Sequence, residues 1–555
     1  MPEKKLVQDA TSVERPDLET DVVVIGSGAA GLSAALSAQR EGADVLLLEK
    51  AATLGGTTIK SSAWAWYPNH QGVRRGGHVD EKADALRYMA RLSAPEMYDP
   101  ASCTLGLPEW RYGLLESFYD HAAEAVEALN AQGVASTSLD EFPDYYSYLP
   151  ENKTPHGRTH RPVDDNGEPA GSDEMIRQGA RAIEAAGGRI LTEHAVEGVI
   201  VDGGAVVGVT VRHAGERLVV LARRGVVFAS GGFAGDPALR GDHVAAPILG
   251  TCAAPGNTGD FVRIAAELGA PLRNMAYPWM TLMILEDALD RDPEVKSMFH
   301  PPGDSMVFVN AEGRRTLNEK APYNETAQML QRWDVATASY PEMFQFMVWD
   351  EPCHALHGND RKANPIPPPG ETDRHVVVGA TLDELGENLR AHVEKLQARA
   401  PQLHLEPDFA ANLKATIAAF DAGAREGRDP DYRRGERPID IAFNAMFTGG
   451  IRDERNPTLY PFADTGPYYA AIIVPAALDT KGGPMISPRG EVLDGAGEPI
   501  PGLYGAGNCV ASAAGKSYWA AGATIGPAVT FGYLAGRAAG TAPSRRSTIG
   551  TEALA

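Results

Sequence analysis

The sequence has few cysteines, and their spacing excludes several classes of protein. Cys103, Cys252, Cys353 and Cys509 lie far apart and form no Cys-x-x-Cys pair. Neither a disulfide framework nor a zinc site is therefore predicted, and no other metal site is expected. Isolated thiols are typical of a reducing compartment, so we expect a cytoplasmic protein.

Basic charge and long apolar runs are also scarce. The 51 lysines and arginines are outnumbered by 73 acidic residues, which argues against nucleic acid or an anionic membrane surface as a partner. Residues 1–20 are polar and contain no signal-peptide core. The longest apolar runs, such as residues 468–474, fall far short of the roughly 20 residues that span a bilayer. No transmembrane segment is predicted.

Turn-forming residues, in contrast, are abundant and punctuate recognisable elements. The 555 residues include 59 glycines and 40 prolines. A β-branched run at 21–25, an alanine-rich helix at 28–41 and a strand at 43–48 form a βαβ unit. Residues 196–211 and 218–229 alternate around Gly203-Gly204 and predict a β-meander. Residues 261–475 differ in character, and a glycine-rich strand–loop–helix pattern returns over 482–539. This order predicts a domain built from both ends of the chain, with a second domain inserted.

The turn after the first strand carries a dinucleotide-binding motif. Residues 26–31 read Gly-Ser-Gly-Ala-Ala-Gly, which fits G-x-G-x-x-G between a strand and a helix. Gly26 permits the turn, Gly28 lets the backbone approach a pyrophosphate, and Gly31 lets the helix pack on the strand. Glu49 closes the second strand, where a carboxylate can accept the ribose hydroxyls.

Further small-residue loops favour FAD over NAD. Gly55-Gly56-Thr57-Thr58 follows Glu49, and Ser230-Gly231 ends a later strand. Near the C-terminus, residues 502–508 lead to 522–526 and a second helix start, which can stabilise negative charge at the N1/O2 edge of a flavin.

Together these motifs resemble the flavoprotein superfamily of fumarate reductase and succinate dehydrogenase. The resemblance implies an α/β fold: a Rossmann-like FAD-binding domain (parallel sheet plus β-meander) over 18–276 and 476–541. An inserted α+β catalytic cap would cover 277–475, with tails at 1–17 and 542–555. No histidine lies at 60–62, where succinate dehydrogenases tether the flavin, so we expect non-covalent FAD. The expected FAD-binding residues are Gly26, Ser27, Gly28, Ala30, Gly31, Glu49, Lys50, Gly55, Gly56, Thr57, Thr58, Ser61, Ser62, Val196, Ser230, Gly231, Asp260, Asn508, Thr524 and Ile525.

Within this superfamily the chain is most similar to 3-ketosteroid Δ1-dehydrogenases and their relatives that act on cyclic ketones. The resemblance rests on residues 62–68 (SAWAWYP), 144–146 (DYY), 317–323 (LNEKAPY), 482–484, 494 and 518–522. It implies that the Tyr518 hydroxyl and the Gly522 N–H bind the ketone oxygen. Tyr323 would remove the α-proton with Tyr146 beside it, and flavin N5 would take the β-hydride.

Elementary chemistry supports such a set. A ketone α-carbon becomes acidic only if fixed donors meet the developing enolate oxygen. A tyrosine, with a solution pKa of about 10, acts as a base only if its phenolate is stabilised, which a neighbouring phenol can provide. A neutral phenol also suits an apolar pocket. Packing alone is an alternative explanation for each tyrosine, and for the three candidate pocket residues Trp110, Trp279 and Trp519.

Two other functions are disfavoured. Fumarate reductases carry an arginine five residues after the asparagine of an Asn-Glu-x-x-x-Arg pattern, and here that position, counted from Asn318, is Tyr323. A cofactor-free binding protein, like the carriers of prenylated GTPases, would have damaged glycines and no ribose carboxylate. Gly26, Gly28, Gly31 and Glu49 are all intact.

Substrate size is the least constrained prediction. Only residues 147–171 separate Tyr146 from the next helix, where the steroid enzymes carry a longer helical excursion. The bulky stretch 96–119, with Trp110, would close the other side, which favours a small monocyclic ketone over a steroid. The electron acceptor (a quinone, a carrier protein or oxygen) and the oligomeric state stay open.

Overall fold

The computed structural model describes residues 5–545 except 14, 76, 292, 293, 295–297, 299, 362 and 448. It divides the chain into two compact units. The first comprises Met1–Ala245, Ala253–Trp279 and Asp479–Ala555, and the second Ala246–Cys252 and Met280–Leu478. Both chain ends therefore contribute to one unit, and the other is inserted between them.

The secondary structure alternates in the first unit and is mixed in the second. The helices are α1 (Ala29–Arg40), α2 (Gln71–Arg75), α3 (Lys82–Ser93), α4 (Glu109–Ala131), α5 (Ser172–Ala185), α6 (Pro237–His243), α7 (Asp260–Glu267), α8 (Leu285–Asp290), α9 (Tyr323–Met329), α10 (Glu351–His357), α11 (Leu382–Leu396), α12 (Phe409–Arg425), α13 (Pro438–Phe447) and α14 (Ile525–Thr541). The strands are β1 (Val7–Asp9), β2 (Leu18–Ile25), β3 (Val45–Leu48), β4 (Ala65–Trp66), β5 (Ser136–Ser138), β6 (Thr159–Pro162), β7 (Arg189–Leu191), β8 (Ala195–Asp202), β9 (Ala205–His213), β10 (Glu216–Phe228), β11 (Gly250–Thr251), β12 (Leu272–Arg273), β13 (Pro278–Ile284), β14 (Met306–Val309), β15 (Gln345–Asp350), β16 (Val377–Gly379), β17 (Tyr468–Thr480), β18 (Gly483–Pro484), β19 (Glu491–Leu493) and β20 (Pro499–Gly505).

The first unit is built on a sheet with the order β1-β8-β9-β10-β2-β3-β7, in which β20 also pairs with β10. Strands β20, β10, β2, β3 and β7 run parallel, and the apolar residues 22–25 of β2 and 45–48 of β3 are buried, as is typical of a parallel sheet. Strands β8, β9 and β10 form the antiparallel meander. The expected fold class is confirmed.

Helices α1 and α14 pack unusually close beneath this sheet. A Cβ on Gly532 would lie 2.4 Å from the carbonyl oxygen of Ala30, and one on Gly536 would lie 2.1 Å from that of Ala34. The hydroxyl of Ser33 donates to the carbonyl of Val529 at 2.7 Å. Small residues every fourth position thus bring the start of α14 towards the nucleotide-binding turn.

The expectation that residues 1–17 form a tail is wrong over part of its length. Strand β1 pairs in parallel with residues 199–201 of β8, and Ala10 and Val13 are buried against Ile200. The free edge of the meander supplies the partner, which a short polar-rich segment does not reveal by its own pattern. In the other expected tail, 546–555 lie outside the described residues.

The second unit contains a mixed sheet with the order β11-β17-β15-β14, in which β13 and β16 also pair with β17. Strands β14, β15 and β17 are antiparallel. Helices α11 and α12 cover one face through Leu385, Leu389, Leu413 and Ile417. Among the described residues, no helix combines the length and the apolar character that crossing a bilayer requires.

Candidate active site

The turn between β2 and α1 brings backbone segments closer than any side chain allows. Gly26 has a φ of +101°, and a Cβ there would lie 2.4 Å from the carbonyl oxygen of Ala229. A Cβ on Gly31 would lie 1.8 Å from the carbonyl oxygen of Gly26. Gly28 immediately precedes α1, whose first-turn N–H groups have no partner within the helix; that of Ala29 donates to the Thr58 hydroxyl, so an anion would bind to the others. Ala30 is buried in the first turn of this helix. The turn fits a pyrophosphate.

Glu49 follows β3 and is buried. Its carboxylate accepts the Ser27 N–H at 3.0 Å, the Ser27 hydroxyl at 2.6 Å and the Ala51 N–H at 2.9 Å. A carboxylate offers about four lone-pair positions, so one is left for a ribose hydroxyl. The bonds to Ser27 also tie the glycine turn to the second strand, a role that the motif alone does not reveal.

The loop after Glu49 is tied to the same turn. The Ser27 hydroxyl accepts the Gly55 N–H at 2.8 Å, and the Thr58 hydroxyl accepts the Ala29 N–H at 3.1 Å. The Ser27 hydroxyl already donates its proton to Glu49, whereas the Thr58 hydroxyl still has a proton to donate. Gly56 has a φ of +49° and open space where a Cβ would lie, so its backbone is accessible to a ligand.

The other hydroxyl-bearing residues of this loop are Thr57, Ser61 and Ser62, and they differ in whether they already form hydrogen bonds within the protein. Thr57 accepts the Ala254 N–H at 2.9 Å and the Asn257 side-chain amide at 3.1 Å. The Ser61 hydroxyl donates to the carbonyl of Thr58 at 2.7 Å. Ser62 is exposed. Of the expected hydroxyl contacts, Ser61 is therefore already committed to the loop itself.

Two expected cofactor-binding residues of opposite charge pair with each other. The Lys50 ammonium lies 2.7 Å from the Asp260 carboxylate at the start of α7, and it also donates to the Thr258 hydroxyl at 3.1 Å. Both side chains are partly exposed, so the pair is weakly stabilising. Val196 lies in β8, and Ser230 is the second residue after β10.

A buried carboxylate that the sequence did not single out joins three loops of the first unit. Asp479 accepts the Gly232 N–H at 2.8 Å and the side-chain amides of Asn257 at 2.7 Å and Asn508 at 3.1 Å. Burial raises the pKa of Asp479 above its ordinary value, while these hydrogen bonds oppose the shift. A Cβ on Gly231 would lie 2.5 Å from the Asn257 amide nitrogen. Asp479 thereby orients Asn508.

The segment before α14 is fixed against β4. Gly522 has a φ of +88°, and a Cβ there would lie 2.6 Å from the backbone of Ala65. Its carbonyl accepts the Trp66 N–H at 3.0 Å. The Tyr518 hydroxyl lies 3.5 Å from the hydroxyl of Thr524, which immediately precedes α14. Glycine is therefore required at 522, and a tyrosine hydroxyl lies near a helix start.

Aromatic rings surround Tyr518, which is buried. Its ring stacks on Tyr145 with centroids 5.6 Å apart and meets Trp279 edge-on at 5.2 Å. The Trp279 indole N–H donates to the Asn508 side chain at 2.9 Å. The chain from Asp479 through Asn508 and Trp279 thus reaches the Tyr518 ring.

Tyr146 lies in a neighbouring loop of the same unit and is half-buried. Its backbone N–H donates to the Tyr88 hydroxyl at 3.4 Å, and this hydroxyl donates to the carbonyl of Trp519 at 2.7 Å. One buried hydroxyl group therefore links the loops that carry Tyr146 and Tyr518. No sequence motif indicates a role for Tyr88, because this residue lies in the ordinary amphipathic helix α3.

The three candidate pocket tryptophans have different environments. Trp519 is fully buried and packs among aromatic rings, with its ring 5.4 Å from Trp66 and 5.8 Å from Phe118. Trp279 contacts Tyr518, as described above. Trp110 is half-buried in the first turn of α4, with the guanidinium of Arg111 5.1 Å from its ring centre. The expectation that these three tryptophans line the substrate pocket stays a prediction.

A buried arginine lies beneath the Tyr145–Tyr146 loop. Arg158 donates to Asp80 through two nitrogens at 2.7 Å each, and it also pairs closely with Asp144. The Trp66 indole N–H donates to Asp144 at 2.8 Å. Burial raises the pKa of Asp80, but Arg158 outweighs it and the net shift is downward. For Asp144, burial prevails and the pKa is raised. The network fixes the loop's backbone.

Tyr323 belongs to the second unit. It is the first residue of α9, follows Pro322 and is buried. Its ring lies 6.3 Å from Phe443, and the next side chain, Asn324, accepts the Met280 N–H at 3.0 Å. These contacts place the phenol at a fixed helix start. The other three expected catalytic residues, Tyr146, Tyr518 and Gly522, all belong to the first unit.

A charged network that sequence reasoning missed supports the loop before Tyr323. The Arg315 guanidinium pairs with Glu319 and with Asp429 at 2.8 Å each, and all three are buried. Arg434 lies 3.3 Å from Glu319. The Lys320 ammonium donates to the carbonyl of Pro301 at 2.6 Å, and burial lowers its pKa well below the ordinary value. The charged side chains of residues 315–320 therefore form buried ion pairs and hydrogen bonds within the second unit.

One cluster in the second unit has metal-ligand residue types, namely Asp304, Cys353 and His357. The arrangement is nevertheless explained by hydrogen bonds. Arg452 donates to the Asp304 carboxylate at 2.8 Å, and His357 accepts the Gly449 N–H at one nitrogen, so its other nitrogen carries the proton towards Asp304. Burial raises the pKa of the Cys353 thiol. The Arg452 guanidinium already provides a positive charge beside the Asp304 carboxylate, so we assign no metal to this cluster.

The first unit thus defines a dinucleotide-binding flavoprotein, with a glycine cradle, a ribose carboxylate and a second helix start. A family model described as an FAD binding domain matches residues 21–525, and the chain belongs to this family. The expected cofactor, FAD, and the expected class of enzyme, an FAD-dependent oxidoreductase, are confirmed.

Individual relatives cover nearly the whole chain. The chain is 32% identical over 570 residues to the 4-oxocyclohexanecarboxylate 2-dehydrogenase of Sinomonas cyclohexanicum, covering 95% of this chain and 93% of the relative. It is 28% identical to the 3-oxosteroid 1-dehydrogenase of Mycobacterium tuberculosis, covering 93% and 97%. The solved 3-ketosteroid Δ1-dehydrogenase of Sterolibacterium denitrificans superposes with a TM-score of 0.79 at 24% identity over 94% of this chain and 99% of that chain, which shows a shared fold.

Proposed function

We propose that the protein removes hydrogen from adjacent carbons of a cyclic ketone and so forms the conjugated enone. The geometry before α14 carries this proposal. Gly522, held in a left-handed conformation against β4, and Tyr518, buried beside Thr524, place a backbone and a phenol donor four residues apart at a helix start. Two fixed donors are what a developing enolate oxygen requires. Similarity to two kinds of ring-ketone dehydrogenase supports the same reaction.

The remaining roles come from the resemblance. Tyr323 is proposed as the base that removes the α-proton, and Tyr146 as the phenol that hydrogen-bonds to it. A phenol base is neutral at rest, so it imposes no buried charge on an apolar pocket before the substrate arrives. When bound, the flavin supplies the acceptor for the hydride from the β-carbon.

The chain's own residues would hold the cofactor without a covalent bond. The 60–62 segment reads Lys-Ser-Ser, with no histidine to tether a flavin. The glycine turn and the helix starts would bind the phosphates and the flavin carbonyl edge through backbone N–H groups. Retention of flavin through the native fold, and its release on denaturation, would support non-covalent binding.

For the substrate we favour a monocyclic ketone. The relative with 32% identity acts on 4-oxocyclohexanecarboxylate. The segment between Tyr146 and α5 is short and contains β6, and Trp110 occupies a ring-sized volume on the first turn of α4. A 3-ketosteroid is the second candidate, because the steroid dehydrogenase relative matches over almost its full length.

An anaerobic reduction experiment tests both the reaction and the substrate. The flavin absorbance of the holoenzyme is followed with cyclohexanone, 4-oxocyclohexanecarboxylate, a bicyclic ketone and a 3-ketosteroid. Bleaching by the single-ring ketones with formation of the enone is expected. Bleaching by the steroid alone would overturn the size assignment and leave the chemistry standing, whereas no bleaching by any ketone would overturn the function.

Two further expectations are retained as proposals. The electron acceptor is a quinone, a carrier protein or oxygen, since the sequence shows no second dinucleotide motif for NAD(P). A cytoplasmic location rests on the four isolated cysteines, all of which have free thiols in the structure.

A further inference from the structure

A buried lysine outside the proposed catalytic set lies next to Tyr518. Lys481 follows β17, and its side chain is fully buried in the first unit. Its ammonium donates to the carbonyl of Ser517 at 2.9 Å and lies 3.8 Å from the centre of the Trp279 ring. Its own carbonyl accepts the Ser512 N–H at 3.1 Å. Lys481 is therefore anchored at both ends in the segment that leads to Tyr518.

Both contacts of the ammonium bear directly on Tyr518. The Ser517 carbonyl belongs to the peptide that precedes Tyr518, and the Trp279 ring meets the Tyr518 ring edge-on at 5.2 Å. The ammonium thus lies no farther than about 9 Å from the Tyr518 ring centre, and at that separation a cation in a low-dielectric interior favours an ionising phenol.

Other groups near Tyr518 are weaker candidates for this effect. In the first unit, its ring stacks on Tyr145 and its hydroxyl lies near Thr524, both neutral. Asp479 reaches Trp279 through Asn508, but its carboxylate is bound by several N–H donors, and its charge would act in the opposite direction.

We propose that Lys481 is a positioning residue that holds Tyr518 in place and strengthens its phenol as a donor to the ketone oxygen. The proposal rests on the role of Tyr518 in the proposed function. An enolate oxygen accepts a stronger hydrogen bond from a more acidic phenol, so the lysine would act most in the transition state.

Replacing Tyr518 by 3,5-difluorotyrosine in the holoenzyme allows the test, because the fluorines lower the phenol pKa into an accessible range and report ionisation by ¹⁹F NMR. In that background Lys481→Met should raise the phenol pKa by about one unit. In the unlabelled enzyme it should lower kcat/KM about tenfold, less than the 10²–10³-fold expected for loss of a donor in Tyr518→Phe. Lys481→Arg should restore both values, since it keeps the charge. Lys481→Gln, which keeps an N–H donor without the charge, should show the raised pKa.

Lys516→Met is the matched control. This lysine lies two residues before Tyr518 but is partly exposed and pairs with Glu96 at 2.7 Å, so its loss should change neither quantity. A phenol pKa that moves by less than about 0.3 unit in folded Lys481→Met, or in Lys481→Gln if the first variant does not fold, would overturn the proposal. Full turnover by Tyr518→Phe would instead refute the role of Tyr518 and leave the fluorine result intact.

Discussion

The starts of helices α1 and α14, which both belong to the first unit, are built in different ways. At α1, the turn depends on backbone: Gly26 and Gly31 lie so close to carbonyl oxygens that no Cβ fits. At α14, Gly522 is likewise held against backbone, that of Ala65, but the nearby Tyr518 ring is surrounded by side chains from distant parts of the chain, including Tyr145 and Trp279. A backbone-built site recognises a group common to many cofactors, while a side-chain-built site can differentiate among substrates.

Breaking the backbone-built site should have the largest effect. In Gly31→Ala, the new Cβ would lie 1.8 Å from the carbonyl oxygen of Gly26, so the turn must open. We expect purified protein that carries no flavin, measured as the loss of visible flavin absorbance relative to protein. Gly241→Ala is the control, because open space surrounds that position in α6 and flavin should be retained. A fully flavin-loaded Gly31→Ala protein would contradict the role of this glycine turn in binding the cofactor.

Removing the proposed base should separate chemistry from cofactor binding. Tyr323→Phe keeps the buried ring of α9 and deletes only the hydroxyl, so flavin content and unfolding temperature should stay unchanged. Turnover should fall by about 10²–10⁴-fold, the usual contribution of a general base. Stopped-flow flavin reduction measures it. Tyr340→Phe, a half-buried tyrosine of the same unit that packs on Trp333, is the matched control. Near-full reduction rates in Tyr323→Phe would show that another group is the base.

A smaller effect is expected at the link between the loops that carry Tyr146 and Tyr518. Tyr88→Phe removes the hydroxyl between the Tyr146 N–H and the Trp519 carbonyl. An unsatisfied buried carbonyl costs about 1–3 kcal/mol of unfolding free energy, which denaturant titration measures. We also expect kcat to fall less than in Tyr323→Phe, with KM raised. Tyr533→Phe, whose hydroxyl binds Glu124 at the surface, should leave kinetics intact. Unaltered kinetics in a destabilised Tyr88→Phe would make the link purely structural.

The contrast between the two helix starts also explains what the sequence could predict. The βαβ unit, the meander and the roles of Gly26 and Gly31 follow from local patterns, since a strand, a turn and a helix specify their own backbone. Asp479 and Arg158 could not be found this way. A charged residue looks the same in sequence whether it is solvated or buried, and the partners of Arg158 include Asp80, which lies 78 positions away. Side-chain networks of this kind require the fold.

The smallest effect concerns substrate selection at Trp110. This ring lies half-buried in the first turn of α4, and the Arg111 guanidinium packs on it. If the ring limits the size of the ketone, Trp110→Ala should raise kcat/KM for bicyclic and steroid ketones relative to cyclohexanone. An apolar contact discriminates by about 1–3 kcal/mol, so a change of roughly 10–200-fold in the ratio is expected. Trp333→Ala, at an exposed tryptophan of the second unit, is the control and should leave the ratio unchanged. Because a ratio of two substrates cancels losses of folded enzyme, it isolates selection from stability. An unchanged ratio in Trp110→Ala would place the size limit elsewhere in the side-chain-built site.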